Sequence, residues 1–210
     1  SDSLSHTFAN QQVDAVIRND DDVFAIAPRA AEASEGTALT FTVTRTGSTE
    51  GTSTVSWRIV HGGTDASDFS VTSGTLTFAD GQSEMVLSIP VRSDRDVELD
   101  EGFSVELYQP GAGSSIDPAA SSAAGTIRND DVDLTLASVT AQAYEGDAGT
   151  PGRLHFTVTR SGDSSGETRV DWAVQAGSAS AADFPGGVLP SGQLVFAAGE
   201  SHKDRSEERR

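Results

Sequence analysis

The chain holds 210 residues, with 32 Asp and Glu against 14 Lys and Arg, a formal net charge of −18. That balance lacks the basic footprint that nucleic-acid binding requires and suits solubility and cation binding. Without cysteine there is neither a disulfide framework nor thiol chemistry, and no apolar run approaches the ~18 residues of a membrane span.

Residues 1–21 open with neither an initiator Met nor a signal peptide. The alternation Val13, Ala15, Ile17 reads as the C-terminal strand of a preceding repeat, ending in Ile17-Arg18-Asn19-Asp20-Asp21. The same five residues return at Ile127-Arg128-Asn129-Asp130-Asp131, and the motifs downstream of them return too. Glu35-Gly36 recurs as Glu145-Gly146, Phe41-Thr42-Val43-Thr44-Arg45 as Phe156-Thr157-Val158-Thr159-Arg160, and Trp57 as Trp172. Asp68-Phe69 recurs as Asp183-Phe184, and Gly74-Thr75-Leu76-Thr77-Phe78 as Gly192-Gln193-Leu194-Val195-Phe196. The offset grows from 110 to 118 residues while the hydrophobic pattern holds, as expected when each repeat is one folded unit that varies in its loops. The chain therefore reads as a piece of a longer tandem array.

Residues 22–131 form the complete unit, large enough to bury a core of its own. Apolar residues alternate with polar ones in short runs, the pattern of half-buried antiparallel strands. In order these are Phe24-Ala25-Ile26; Leu39, Phe41 and Val43; Val55, Trp57 and Ile59; Leu76 and Phe78; Met85, Leu87, Ile89 and Val91; Phe103, Val105 and Leu107; and Ile127. Seven strands in a unit of this size predict an all-β fold, a tandem array of immunoglobulin-like Greek-key sandwiches. Trp57 is expected as a core anchor, with a stacking platform for sugar as the alternative.

Between the fifth and sixth strands lies the densest acidic stretch, Asp94-Arg95-Asp96-Val97-Glu98-Leu99-Asp100-Glu101. Five carboxylates there repel one another at neutral pH, and a multivalent cation relieves the repulsion. Calcium, with many oxygen ligands and loose geometry, suits the loop better than magnesium. An EF-hand is ruled out, because the sixth position from Asp94 is Leu99 rather than Gly. Glu35, Asp68 and Asn129-Asp130-Asp131 end other strands, and loops distant in sequence can converge at one end of a sandwich. Each could equally be a solvated turn residue.

Residues 132–201 read as a truncated second unit. Ser201 corresponds to Ser83, and only nine residues follow it where 48 follow Ser83 in the complete unit. The tail, 202–210, places Lys203-Asp204-Arg205-Ser206-Glu207 where the complete unit has Met85-Val86-Leu87-Ser88-Ile89. With four basic residues and no apolar one it is expected to be disordered or aberrant.

Several of these elements together resemble the Calx-beta repeats of sodium/calcium exchangers, integrin beta-4 and many bacterial extracellular proteins. They are Glu35-Gly36, the loop Gly63-Thr64-Asp65-Ala66-Ser67-Asp68-Phe69, Gly74-Thr75-Leu76-Thr77-Phe78, Asp100-Glu101-Gly102-Phe103 and Gly125-Thr126-Ile127-Arg128-Asn129-Asp130-Asp131. The resemblance covers residues 22–131 and continues to about 201. It implies Ca2+ ligands at Glu35, at Asp68, in the acidic loop at Asp94, Glu98 and Glu101 with Asp96 through its carbonyl, and at Asp130 and Asp131. Ser93 and Asn129 stand where the strongest binders carry Asp, which implies fewer ions or weaker affinity.

No enzyme is expected. His6, His61, His155 and His202 are scattered, and nucleophile-elbow, zinc and phosphate-loop motifs are absent. The reading is a calcium-binding structural or adhesive segment of a large secreted or cell-surface protein, in which calcium orders acidic loops and stiffens the array. The resemblance implies a bacterial source, with membrane attachment through other parts of the protein. Its partners would be calcium ions, neighbouring Calx-beta repeats and a cell-surface or matrix partner. A regulatory calcium sensor of a membrane transporter and a metal-free interaction sandwich are the alternatives.

Overall fold

The structure, a computed structural model, describes residues 21–140 and 152–208. In the first repeat, β1 (Asp22–Ala30), β3 (Ala38–Gly47), β6 (Glu84–Pro90) and β8 (Ser114–Ile116) make one sheet in the order β6-β3-β1-β8. The facing sheet, β2-β9-β7-β4-β5, holds β2 (Glu32–Ser34), β9 (Ser122–Arg128), β7 (Glu101–Pro110), β4 (Ser53–His61) and β5 (Ser73–Phe78). The long ladders are antiparallel. The chain leaves the first sheet after β1, where the register slips between Pro28 and Ala30, and joins the second as β2. Proline has no N–H to give a ladder, which suits it to a slip of this kind.

Alternation does the work of burial. Phe24, Ile26, Leu39, Phe41, Val43, Val55, Trp57, Val105 and Leu107 all point between the sheets and are buried. Each contributes about 1.5–3 kcal/mol by leaving water. Trp57 is only 5% exposed, so it is a core anchor rather than a sugar platform. The two strands beyond the expected seven, β2 and β8, are three residues each and pair in parallel with β9 and β1. Runs that short carry no legible alternation.

Gly125 shows how tightly the sheets meet. A Cβ there would lie 2.6 Å from Cζ of Phe103 and 3.2 Å from Cζ of Phe41. Gly125→Ala is expected to destabilise the first repeat by ~1–3 kcal/mol, the usual cost of overpacking. A fall in the urea midpoint at unchanged slope would show this, and an unchanged midpoint would mean that the two rings give way freely.

The second repeat restates the same pairings. β10 (Val132–Thr140), β11 (Arg153–Gly162) and β14 (His202–Glu208) form one sheet, and β12 (Thr168–Ala173) with β13 (Ser191–Phe196) the other. Two 3-10 turns, Ala181–Asp183 and Pro185–Gly187, lie between β12 and β13. Among the described residues there is no counterpart of β7, β8 or β9.

The expected disordered or aberrant tail is corrected over 202–208. These residues are strand β14, antiparallel to β11 from Thr159 opposite His202 to Arg153 opposite Glu208. Backbone ladder bonds form whatever the side chains, and the charges that fall on core-facing positions are neutralised locally. Arg205 Nε lies 2.6 Å from Glu207 Oε1, and its guanidinium covers the Trp172 ring at 4.6 Å. The expected strand within residues 1–20, the Glu145-Gly146 echo and the last two tail residues lie outside the described residues. No described helix is long and apolar enough to cross a membrane.

Candidate metal centre

At the end of the first repeat where β9 runs into the second, three segments converge on the acidic stretch. Glu35 sits between β2 and β3, followed by Gly36, whose positive φ of 68° makes the turn. The N–H of Gly36 donates to the Arg92 carbonyl at 3.2 Å, and the N–H of Arg92 to the Asp68 carbonyl at 2.8 Å. Those two bonds bring Glu35, Asp68 and the start of the acidic loop to one place. Residues 92–100 have no regular secondary structure.

The loop is held by side-chain oxygens instead. Asp94 Oδ1 accepts from the N–H of Asp96 at 2.8 Å, and Glu35 Oε2 from the N–H of Asp94 at 3.5 Å. Asn129 Oδ1 accepts from the N–H of Glu98 at 3.1 Å, while its own Nδ2 donates to the Asp131 carbonyl at 3.1 Å. Asn129 thus ties the acidic loop to the chain leaving for the second repeat.

Six of the eight expected ligands fall into two trios, Glu35 with Asp94 and Asp131, and Asp68 with Glu98 and Glu101. Within each trio the carboxylate oxygens lie within 4.8 Å of one another. Asp96 and Asp130 fall outside both. The sequence reading missed Asp65, whose charge reaches Glu98 and Glu101, and the anchoring role of Asn129. Asp65 stands in the same Gly63-to-Phe69 motif as Asp68 and could have been found there.

Electrostatics mark the place as short of positive charge. Burial and the neighbouring Asp68 and Glu98 push the Glu101 carboxyl up to about 7. Burial together with Asp94, Asp131 and Asp130 raises Glu35, although the Asp94 N–H opposes the shift. Glu98 rises through desolvation and the charges of Asp68, Asp94, Asp96 and Asp65. Asp131 Oδ2 is buried with no hydrogen-bond partner. A carboxylate oxygen left so is costly unless a cation meets it.

The residues fit calcium. All the donors are hard oxygens, and two oxygens on one Ca2+ can stand up to ~5 Å apart, whereas Mg2+ limits them to ~4.2 Å. The small cavity lined by Glu35, Asp68, Asp94, Glu98 and Glu101 encloses about 10 Å³, roughly the room of one water-sized sphere.

The Calx-beta domain model matches residues 18–131 and 133–206. The adhesion G-protein coupled receptor V1 of Danio rerio is 34% identical over 120 residues, 57% of this chain and 2% of the receptor. Its source lends no support to the expectation of a bacterial parent. Among solved structures, CBD12 from CALX1.2 is 22% identical with a TM-score of 0.50, over 90% of this chain and 75% of that one. The apo-form Calx CBD1 domain is 23% identical with a TM-score of 0.45, over 52% of this chain and 98% of that one. With both repeats matched by one family model, and the CBD12 likeness showing the same sandwich fold, the chain belongs to the Calx-beta domain family.

Proposed function

We propose that the first repeat binds calcium through Glu35, Asp68, Asp94, Glu98, Glu101 and Asp131, with Asp96 and Asp130 in support. The chain is then a non-enzymatic structural segment of an extracellular or cell-surface protein. The observation that carries this reading is the pair of carboxylate trios, one of which holds the buried, unpartnered Asp131 oxygen. The receptor it resembles is named for adhesion, which fits a cell-surface or matrix partner elsewhere in the parent.

The site also borders the next repeat. Val97, Leu99 and Asn129 line a cleft with Gly162, Asp163 and Ser164, and the N–H of Asp163 donates to the Asp131 carbonyl at 2.8 Å. An added Cβ at Gly162 would lie 2.8 Å from Val97 Cγ1, so the acidic loop presses against the second repeat. Calcium that orders this loop would fix the joint and stiffen the array.

A thermal melt in EDTA and in millimolar calcium tests the reading, with Trp57 as the reporter in a Trp172→Phe background. An ion that binds only the folded state at a hundredfold over its Kd adds about 2.7 kcal/mol, enough to raise Tm by several degrees. The rise should disappear in Asp94→Asn/Glu98→Gln. Identical melts with and without calcium would reject the calcium role.

A further inference from the structure

At the joint one carbonyl is held from both sides. The Asp131 carbonyl accepts from Nδ2 of Asn129 at 3.1 Å and from the N–H of Asp163, in the second repeat, at 2.8 Å. A backbone carbonyl has two lone pairs, so these bonds occupy both, one from each repeat. The other half of the Asn129 amide faces the acidic loop, where Oδ1 accepts from the N–H of Glu98 at 3.1 Å. The backbone N–H of Asn129 adds a bond to Asp100 Oδ1 at 3.3 Å.

The acidic loop also reaches the second repeat by a route of its own. A Cβ built on Gly162 would lie 2.8 Å from Val97 Cγ1 and 2.2 Å from the Asp131 carbonyl oxygen. Gly162 has a positive φ of 82°, so backbone conformation and crowding both call for glycine there. Its equivalent in the first repeat, Gly47, is crowded in the same way, with a Cβ 2.4 Å from the Asp21 carbonyl oxygen.

The contacts close a circuit. Val97 meets Gly162, Asp163 holds the Asp131 carbonyl, and Asn129 holds both that carbonyl and Glu98, the neighbour of Val97. Asn129 is where the two routes to the second repeat join. An ionised Asp in its place could accept from Glu98 but has no N–H for the Asp131 carbonyl.

We propose that Asn129 is the positioning residue of the inter-repeat joint. Its amide sets the acidic loop and the Asp131 carbonyl in the relation that lets both dock on the second repeat, with no ion required. Linked domains move against one another by default; here the two docking contacts, joined through one planar amide, open and close together. Such coupling is reciprocal, so a change on the second-repeat side is felt in the loop. The circuit takes none of the carboxylate oxygens of the two trios, so it stands or falls separately from calcium binding.

Amide hydrogen exchange followed by NMR on the 210-residue chain in EDTA tests it. In Asn129→Ala the Asp163 amide, bonded to Asp131 rather than to residue 129, should exchange about fivefold faster, as expected for the loss of one ordinary hydrogen bond. Asn129→Asp should free Asp163 likewise yet leave the Glu98 amide protected, because the acceptor remains. The reverse direction separates positioning from a local role: Gly162→Ala, made in the second repeat, should speed exchange of the Glu98 amide in the first. Amides of Phe41 and Val105 in the core should keep their rates in all three variants. An Asp163 rate unchanged by Asn129→Ala, or a Glu98 rate unchanged by Gly162→Ala, would overturn the proposal. So would equal acceleration of the core amides, which would make Asn129 a contributor to global stability alone. Because no calcium is present, none of these results depends on the metal site.

Discussion

In EDTA, the first repeat is expected to be most stable near pH 5 and to lose on the order of 2–3 kcal/mol by pH 8. The main cause is Glu101, whose carboxyl is raised from 4.5 to about 7 by burial and by Asp68 and Glu98. Between those values the folded state holds a proton that the unfolded state has lost. Stability therefore falls as pH rises through this window, the reverse of the usual acid-labile carboxylate. Glu35 and Glu98 are raised as well and act in the same direction. Asp22, which hydrogen bonds and the Arg45 charge hold below 3.8 against the opposing effect of burial, contributes the opposite branch, lost only as the solution becomes more acidic than that. Calcium bound as proposed would take the place of the proton, so its stabilisation should grow over the range in which the metal-free form weakens. Glu101→Gln should flatten the EDTA profile between pH 5 and 8 and raise stability at pH 8, while reducing the calcium response. Urea titrations followed by Trp57 in the Trp172→Phe background measure each of these. A flat profile in EDTA with Glu101 intact would remove the proton-for-calcium account.

The sandwich was legible because its strands alternate. Leu39, Phe41 and Val43 or Phe103, Val105 and Leu107 point one way, and a period of two admits few other structures. β14 was not legible, because Lys203, Arg205 and Glu207 occupy the register positions of Met85, Leu87 and Ile89. What makes them tolerable is the ion pair within the strand and the Trp172 face, the second a tertiary contact that no spacing reveals. At the metal centre, carboxylate density and the family motifs pointed to the loop. The division into two trios depends on bonds from Gly36 to Arg92 and from Arg92 to Asp68, which no spacing reveals. Asn129 makes the same point. By resemblance it was a missing ligand, whereas its amide bridges Glu98 and Asp131, a task that an ionised Asp, having no N–H, could do only on the acceptor side.

Arg45→Met is expected to destabilise the first repeat by ~3–5 kcal/mol, as when one partner of a buried ion pair is removed. The Arg45 side chain is 1% exposed, with Nε 2.9 Å from Asp22 Oδ2. Its Nη atoms donate to the carbonyls of Gly51 at 3.0 Å, Ala79 at 3.3 Å and Glu50 at 3.0 Å. The second repeat separates the contributions of pair and carbonyls. Arg160 is equally buried and donates to the carbonyls of Asp163, Gly166 and Ala197, yet Val132 stands where Asp22 stands in the first repeat. A carbonyl cage can therefore hold the guanidinium without its carboxylate. Asp22→Val should consequently cost clearly less than Arg45→Met, and adding Asp22→Val to Arg45→Met should recover part of the loss by removing the stranded carboxylate. A double-mutant cycle by urea denaturation, read through Trp57, decides this; equal costs for the two single variants would show that the ion pair dominates. The segment fixed by Arg160 is also the one that meets its neighbour, since the N–H of Asp163 donates to Asp131 at the joint. Ser48 makes the matching bond to Asp21 at 3.1 Å. The buried arginine of each repeat thus holds the loop between the sheets, β3 to β4 or β11 to β12, against which the preceding chain segment docks, so its loss should loosen the joint as well as the core.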